Sequence, residues 1–337
     1  MILLLTFDSD FHGRQLVRDL EALDFHEYLR VDCGRLVEQH HLEIRPAGGA
    51  AGWSIRSRDH DRLPIDQSTC RTVWWHRLSH PALRRQFLMP DRDHLDDSQA
   101  FTAAQWLADL LPDSLFPHNS PNPARAAENK HLQLRVAAEV GFEILPTLYS
   151  TNPAALSEFA RRCGRVVVKT IGQQSFFETD EDGNDRAHTF GAKVFDAADL
   201  VPHLDAVEHT QLYLQQAVEK VAEHRITVLP GEAIDCRIDT TALAPGDSDY
   251  RPHFRELPKA VIDVPAGLEA GMRAYLERLG LRSGCFDFAE RADGSLVFFE
   301  CNPGGEWLWI QRATGADISG IVARQLIAHH EAGVRTS

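Results

Sequence analysis

Residues 284–310 read GCFDFAERADGSLVFFECNPGGEWLWI, and the fold turns on how this stretch pairs with itself. Two apolar, aromatic-rich runs flank Ala292-Asp293-Gly294-Ser295, and an Asp-Gly pair between such runs is a strong local signal for an antiparallel hairpin. With Asp293 and Gly294 as the two loop residues, Ala292 faces Ser295, and counting outward sets Asp287 opposite Glu300. Side chains alternate with a period of two, so Asn302 joins them on one face, while Phe286, Phe288, Val297 and Phe299 form the other. Like charges directly opposite one another destabilise a sheet. A hard cation resolves the conflict, because Mg²⁺ takes oxygen ligands, usually one or two carboxylates together with substrate phosphates. The alternative is a solvated acidic face without a ligand, and the hairpin alone does not separate the two.

Upstream, Leu268 to Leu279 reads as a helix ending at Gly280 that feeds the hairpin. Gln211 to Val218 is a strand leaving into a connector. Glu223 to Val228 is the next strand, turning at Pro230-Gly231, and Ile234 to Ile238 returns. Glu223 and Arg225 share one face by alternation, and Arg237 lies on the returning strand, so an acid and two guanidinium groups can converge there; simple surface ion pairing is the competing reading. Arg165-Val166-Val167-Val168-Lys169 is a β-branched strand ending in Lys. That Lys either snorkels to solvent or serves the polar segment from Gly172-Gln173-Gln174-Ser175 to Gly191, which suits a flap over phosphates. Asn122-Pro123 opens a helix that carries Lys130 and ends at Gly141, and Phe142 to Thr147 follows as a strand. Downstream, Ala313 to Ala332 is a final helix.

At the N-terminus Ile2 to Phe7 is a buried strand, and Asp8-Ser9-Asp10 precedes a helix in which Leu16, Leu20 and Leu23 recur at helical spacing. Helix capping suits Asp8 and Asp10 better than metal binding. Gly48-Gly49-Ala50-Ala51-Gly52 leads into the strand-like Trp53-Ser54-Ile55, so it is a hairpin turn, since a dinucleotide fingerprint must open a helix. No GxxxxGK[ST] occurs in the chain. Thr72-Val73-Trp74-Trp75-His76-Arg77 is another strand, and Pro81 argues against a helical His76–His80 metal pair. Gln99 to Leu111 is helical, and Pro112 to Pro121 reads as a linker.

A length of 337 residues allows two or three domains or subdomains. The net charge of −14 argues against a general nucleic-acid binder, which needs a basic stripe. A phosphate-bearing ligand must then be held by local cations and a metal, and Lys occurs only at Lys130, Lys169, Lys193, Lys220 and Lys259. The opening MILLLTFDSD has an apolar run too short for a signal peptide and no basic residues before it, and no later stretch could span a bilayer, which points to a cytoplasmic protein. Six scattered cysteines without a CxxC pair suit reduced thiols.

Taken in order, Lys130, Lys169, the hinge Gln215 to Val218, Glu223-His224-Arg225, Asp287 and Glu300-Cys301-Asn302-Pro303 resemble the ATP-grasp superfamily over residues 120–330. The resemblance implies an α/β ATP-grasp fold: an N-terminal α/β domain over 1–115, a central α+β subdomain over 120–210, and a C-terminal α+β subdomain over 211–332 bearing the Mg²⁺ site. It implies that Lys130 and Lys169 contact ATP phosphates, that Gln215 with the backbone of Ala217 and Val218 reads the adenine edge, and that Glu223 holds the ribose hydroxyls. Asp287, Glu300 and Asn302 would bind Mg²⁺, and Arg225 and Arg237 would face the transferred phosphate or the carboxylate substrate.

More narrowly, Glu300 to Ile310 is similar to the signature of ATP-grasp ribosomal-peptide maturases, the graspetide or microviridin-type macrocyclases. Val73 to Arg77 is similar to their aromatic-Arg motif, and Asp249-Tyr250-Arg251 to a further Asp-aromatic-Arg element; Glu306 stands where Gln is usual and His76 where Arg is common. The implied activity is ATP-dependent ligation through an acyl phosphate, with side-chain ester or amide crosslinks formed in a precursor peptide of leader plus core. A homodimer is plausible by the same likeness. The alternatives are an amino-acid or small-peptide ligase of the glutathione-synthetase or ribosomal-protein-modifying type, and a nucleotide-binding sensor without catalysis.

Overall fold

The computed structural model describes residues 1–45, 52–58, 64–76, 94–169, 175–179, 185–189, 192–207, 211–243 and 250–335. β1 (Ile2–Thr6) is buried at every position, as a strand covered on both faces must be. It lies between β2 (Tyr28–Asp32) and β6 (Thr72–Trp75) and runs parallel to both. Helix Phe11–Ala22 makes the first crossover. Asp10 caps it by accepting from the His12 N–H, Leu16 and Leu20 turn inward, and Leu23 is exposed. β3 (His40–Arg45), β4 (Gly52–Ser57) and β5 (Ile65–Asp66) form a separate antiparallel sheet in which Arg45 pairs with Gly52. The expected turn residues Gly48 to Ala51 lie outside the described residues, as do Arg77, His80 and Pro81.

Two helices, Pro121–Ala127 and Lys130–Glu139, replace the single one expected. The physical reason is Asn129, whose side chain accepts from the N–H groups of His131 and Leu132 and so starts a new helix where the old one would have continued. Gly315, at φ +78°, likewise splits the C-terminal segment into Leu308–Thr314 and Ile318–Arg335. The strand expected from Phe142 is also divided, into β7 (Glu143–Ile144) and β8 (Thr147–Ser150).

The central sheet runs β12-β9-β13-β8, with β9 (Arg165–Lys169), β12 (Lys193–Asp196) and β13 (Leu212–Gln216). Within the polar segment expected as a loop, β10 (Ser175–Thr179) and β11 (Asp185–Thr189) pair as an antiparallel hairpin; Gly172 to Gln174 lie outside the described residues. The largest sheet has the order β16-β15-β14-β17-β18-β7, formed by β14 (Ala222–Leu229), β15 (Glu232–Asp239), β16 (Lys259–Ile262), β17 (Gly284–Glu290) and β18 (Leu296–Asn302). On one of its faces Ile226, Val228, Phe286, Phe288 and Phe298 pack against Met272, Tyr275 and Leu276 of helix Leu268–Arg278. Each such side chain is worth about 1.5–3 kcal/mol when fully buried. The other face is left for chemistry.

Residues 112–121 are not a passive linker. The Asn119 side chain donates to the carbonyls of Ser283 and Pro303, both at 2.8 Å, and accepts from the N–H groups of Arg282 and Ser283. Its carbonyl accepts from Trp75 Nε1 at 2.7 Å, so one buried residue ties β6 to both ends of the hairpin. The two termini also share a core: Ile2, Leu4, Leu16 and Leu20 pack with Val322 and Leu326 of the last helix. Among the described residues no helix is long and apolar enough to cross a membrane.

Candidate active site

The β17–β18 loop has three residues, not two. The Arg291 N–H donates to the Ser295 carbonyl, Gly294 sits at φ +82°, and Glu290 consequently pairs with Leu296. Farther from the loop the ladder breaks between Asp287 and Phe288, where Phe299 is the extra residue of a bulge. The two irregularities offset each other and leave Asp287 opposite Glu300, as expected. The apolar assignment shifts, however. Phe298, not Phe299, joins Phe286 and Phe288 in the core, while Val297 and Phe299 group with Leu145, Val218 and Ala289.

Asn302 Nδ2 lies 3.3 Å from Asp287 Oδ2 and 3.3 Å from Glu300 Oε1, so all three expected metal ligands converge. Arg225 donates to Asp287 at 2.7 Å and Lys130 to Glu300 at 2.5 Å. Burial, aided by the Glu300 charge and opposed by Arg225, holds the Asp287 carboxyl above its ordinary range. Burial acts on Glu300 in the same sense but is outweighed by Lys130, Lys169 and Arg225, which hold its carboxyl well below the usual range. The opposed pair is thus neutralised by one cation on each side. Three oxygen-bearing side chains from adjacent strands suit a hard divalent ion.

Lys130 is placed by Gln133, one turn along its helix, which donates to the Cys301 carbonyl at 2.8 Å and accepts from the Cys301 N–H at 3.2 Å. Lys169 donates to Gln215 Oε1 at 2.9 Å, and Gln215 in turn donates to the Thr147 hydroxyl at 3.1 Å. Burial pushes the Lys169 ammonium below its ordinary value, with Lys130 and Arg251 adding to the effect and Glu300 opposing it. The ammonium lies 5.3 Å from the Phe299 ring centre and 5.4 Å from that of Tyr213. The Ala217 N–H is bonded to the Arg165 carbonyl at 3.0 Å, so that donor is already engaged. Glu223 accepts from Lys220 at 2.5 Å.

Arg237 does not join Arg225. The two-residue turn Pro230-Gly231 pairs Leu229 with Glu232, which sets Arg225 opposite Cys236 and His224 opposite Arg237. Arg237 therefore emerges on the other face, where it donates to Glu290 at 2.6 Å; His224 bonds both Glu290 and the buried Asp235 there. The parity of that turn was the available signal. Phe299, Asn119 and Gln133 went unrecognised as site-building residues, since a bulge, a linker contact and a helix clamp leave no local pattern. Arg251 is exposed, and its charge is felt at Asp287 and Lys169; Asp249 lies outside the described residues.

No family model matches this sequence, and no curated protein matches it. Solved structures match along the whole chain. The macrocyclase MdnC of Microcystis aeruginosa MRC, bound with precursor peptide MdnA, aligns with a TM-score of 0.78 at 21% identity, over 97% of this chain and 99% of that one. A Chryseobacterium gregarium RiPP-associated ATP-grasp ligase, in complex with ADP and a leader and core peptide, aligns with a TM-score of 0.79 at 20% identity, over 97% and 96%. The macrocyclase MdnB of Microcystis aeruginosa MRC aligns with a TM-score of 0.69 at 25% identity, over 97% and 98%. The chain has the ATP-grasp fold. Its counterparts among these structures are ATP-grasp ligases and macrocyclases.

Proposed function

We propose that this chain is a ligase that uses ATP and Mg²⁺ to activate side-chain carboxylates of a ribosomal precursor peptide, leader plus core, and joins them to its amines or hydroxyls as amide or ester crosslinks. The observation that carries the reading is the set Asp287, Glu300 and Asn302, neutralised by Arg225 and Lys130 and set beside Lys169 and Gln215. The match of the whole chain to peptide-modifying ligases supports it.

In this reading Lys130 and Lys169 meet the phosphates as charge-assisted donors. Gln215, the Ala217 carbonyl and Val218 read the adenine edge over the apolar group formed with Leu145 and Phe299, and Glu223 holds the ribose. Asp287, Glu300 and Asn302 hold Mg²⁺, which when bound supplies charge neutralisation at the phosphate oxygens. Arg225 is then released from sole duty to Asp287 and faces the transferred phosphoryl group as a substrate carboxylate attacks it. Arg251 receives the incoming carboxylate at the rim. The chain's contribution is positioning and preorganised charge. Arg237 has no part in it.

The test is incubation with ATP, Mg²⁺ and the peptide encoded beside this gene. The peptide should lose one water for each bond made, with ADP and phosphate released in step. An unchanged peptide with consumption of a free amino acid would move the chain to the small-peptide ligases, and no ATP turnover with any carboxylate would leave a nucleotide sensor.

A further inference from the structure

One cavity is not explained by the nucleotide and metal groups. It measures about 50 Å³ and lies between the end of β6 and the Pro303-Gly304-Gly305 turn, with His76, His118, Thr227 and Cys285 among its walls. Thr227 follows Arg225 and Cys285 precedes Asp287 on the same face of the sheet, so the cavity continues the metal face by one step along the strands. His76 and His118 are 97% and 92% buried, and among the described residues the Nε2 atom of each has no hydrogen-bond partner. An unsatisfied buried polar atom costs about 1–3 kcal/mol. Both histidines line this cavity, and a polar occupant would suit them.

The surroundings set the proton position on His76. Asp10 accepts from the Thr6 hydroxyl at Oδ2, 2.6 Å, and from the backbone N–H of His12 at Oδ1, 3.0 Å, and His76 Nδ1 lies 2.8 Å from the same Oδ2. Although burial alone would raise it, the Asp10 carboxyl is held far below the usual range by His76, His12 and Thr6. Asp10 is therefore an acceptor only, and His76 turns its Nδ1–H toward it, which in the neutral imidazole puts the lone pair on Nε2. The Leu308 N–H donates to His12 Nε2 at 3.2 Å, so His12 carries its proton on Nδ1, 3.5 Å from Asp10. That tautomer argues against a metal at Asp10, His12 and His76, although their ligand atoms lie within 4.8 Å of one another. Coordination through His12 Nδ1 would move the proton to Nε2 and set it against the Leu308 N–H.

We propose that this cavity receives the amine or hydroxyl head of the acceptor side chain, and that His76, oriented by Asp10, takes its proton. The proposal rests on the ligase reading. For an ammonium acceptor, one proton passes to His76 Nε2 and the freed nitrogen pair forms the C–N bond. The bond from the acyl carbon to the phosphate oxygen breaks with its electrons on the phosphate, which takes the second nitrogen proton. His76 later returns its proton to solvent. For a hydroxyl acceptor the single proton passes to His76 and from there to the departing phosphate, and a C–O bond forms. The groups facing His76 are Asp10 and His12 from the first helix and His118 across the cavity, with Glu306 acting on His12. Burial lowers His118 to about 4, so it opposes no cation there.

Hydroxylamine separates the steps, because it captures an acyl phosphate without needing a protein base. With ATP, Mg²⁺ and the neighbouring peptide, His76→Gln should lower the ratio of crosslink to hydroxamate about 100-fold or more. In ¹⁵N-histidine-labelled parent protein, methylammonium chloride should shift the His76 Nε2 resonance, and potassium chloride at equal ionic strength should not. An unchanged ratio, or a His76 resonance indifferent to methylammonium, overturns the proposal. A parent chain that makes no hydroxamate overturns the ligase reading, and this proposal with it.

Discussion

Replacing Glu300 with Gln keeps the side-chain shape and removes one of the two carboxylates offered to the metal. Two effects on the metal-free fold oppose each other. The Lys130–Glu300 contact at 2.5 Å is lost, but its partners are 38% and 28% exposed, and a pair so exposed contributes about 0.2–1 kcal/mol. Relief of the like charge facing Asp287 returns about 0.2–1 kcal/mol. Glu300→Gln should therefore change the stability of the metal-free protein by less than about 1 kcal/mol, a melting shift of at most about 3 °C for a chain of this size. Turnover should fall by about 10²–10³, equivalent to about 3–4 kcal/mol of lost charge stabilisation. Thermal melts with and without ADP and Mg²⁺ provide the assay: the parent gains about 2.7 kcal/mol at a hundredfold excess of ligand over Kd, and the variant should lose most of that gain. A variant with full activity, or one that loses several kcal/mol without ligand, would show that Glu300 is a structural ion-pair partner and not a metal ligand.

Lys169→Met should weaken ADP binding in the presence of Mg²⁺ about 10- to 100-fold, the range of one charge-assisted hydrogen bond; equal calorimetric affinities would remove Lys169 from the site. Arg237→Ala should leave ATP turnover within about threefold of the parent and cost about 1 kcal/mol of stability, because its ion pair with Glu290 lies on the opposite face; abolished turnover in a folded variant would refute that placement. For His224, burial lowers the pKa, but the bonds to Asp235 and Glu290 outweigh it and the folded value is raised. Its stabilising contribution is thus full below the unfolded value of about 6.5 and is lost as pH rises through the higher folded value. Urea unfolding at about pH 6 and pH 9 should show the parent losing more stability than His224→Gln over that interval, and parallel losses would sink the argument.

The sequence by itself determined the alternation, and with it the facing carboxylates. Asp287, Glu300 and Asn302 could be put on one face because period two is a property of any strand, and Asp293-Gly294 marked where to begin counting. The count succeeded only because an extra loop residue and the bulge at Phe299 cancelled, and neither is visible locally. The face of Arg237 was legible in the two residues of the Pro230-Gly231 turn, since turn length sets the parity of the returning strand. Tertiary structure alone decided the rest. Asp10 and His76 are 66 positions apart, and they meet because β1 and β6 run parallel side by side and end together. Asn119 reads as part of a polar linker until Ser283 and Pro303 present carbonyls to it. Strand periodicity is a local constraint that each residue carries, whereas the neighbour across a parallel pair or beneath a strap is fixed only when the whole chain has closed.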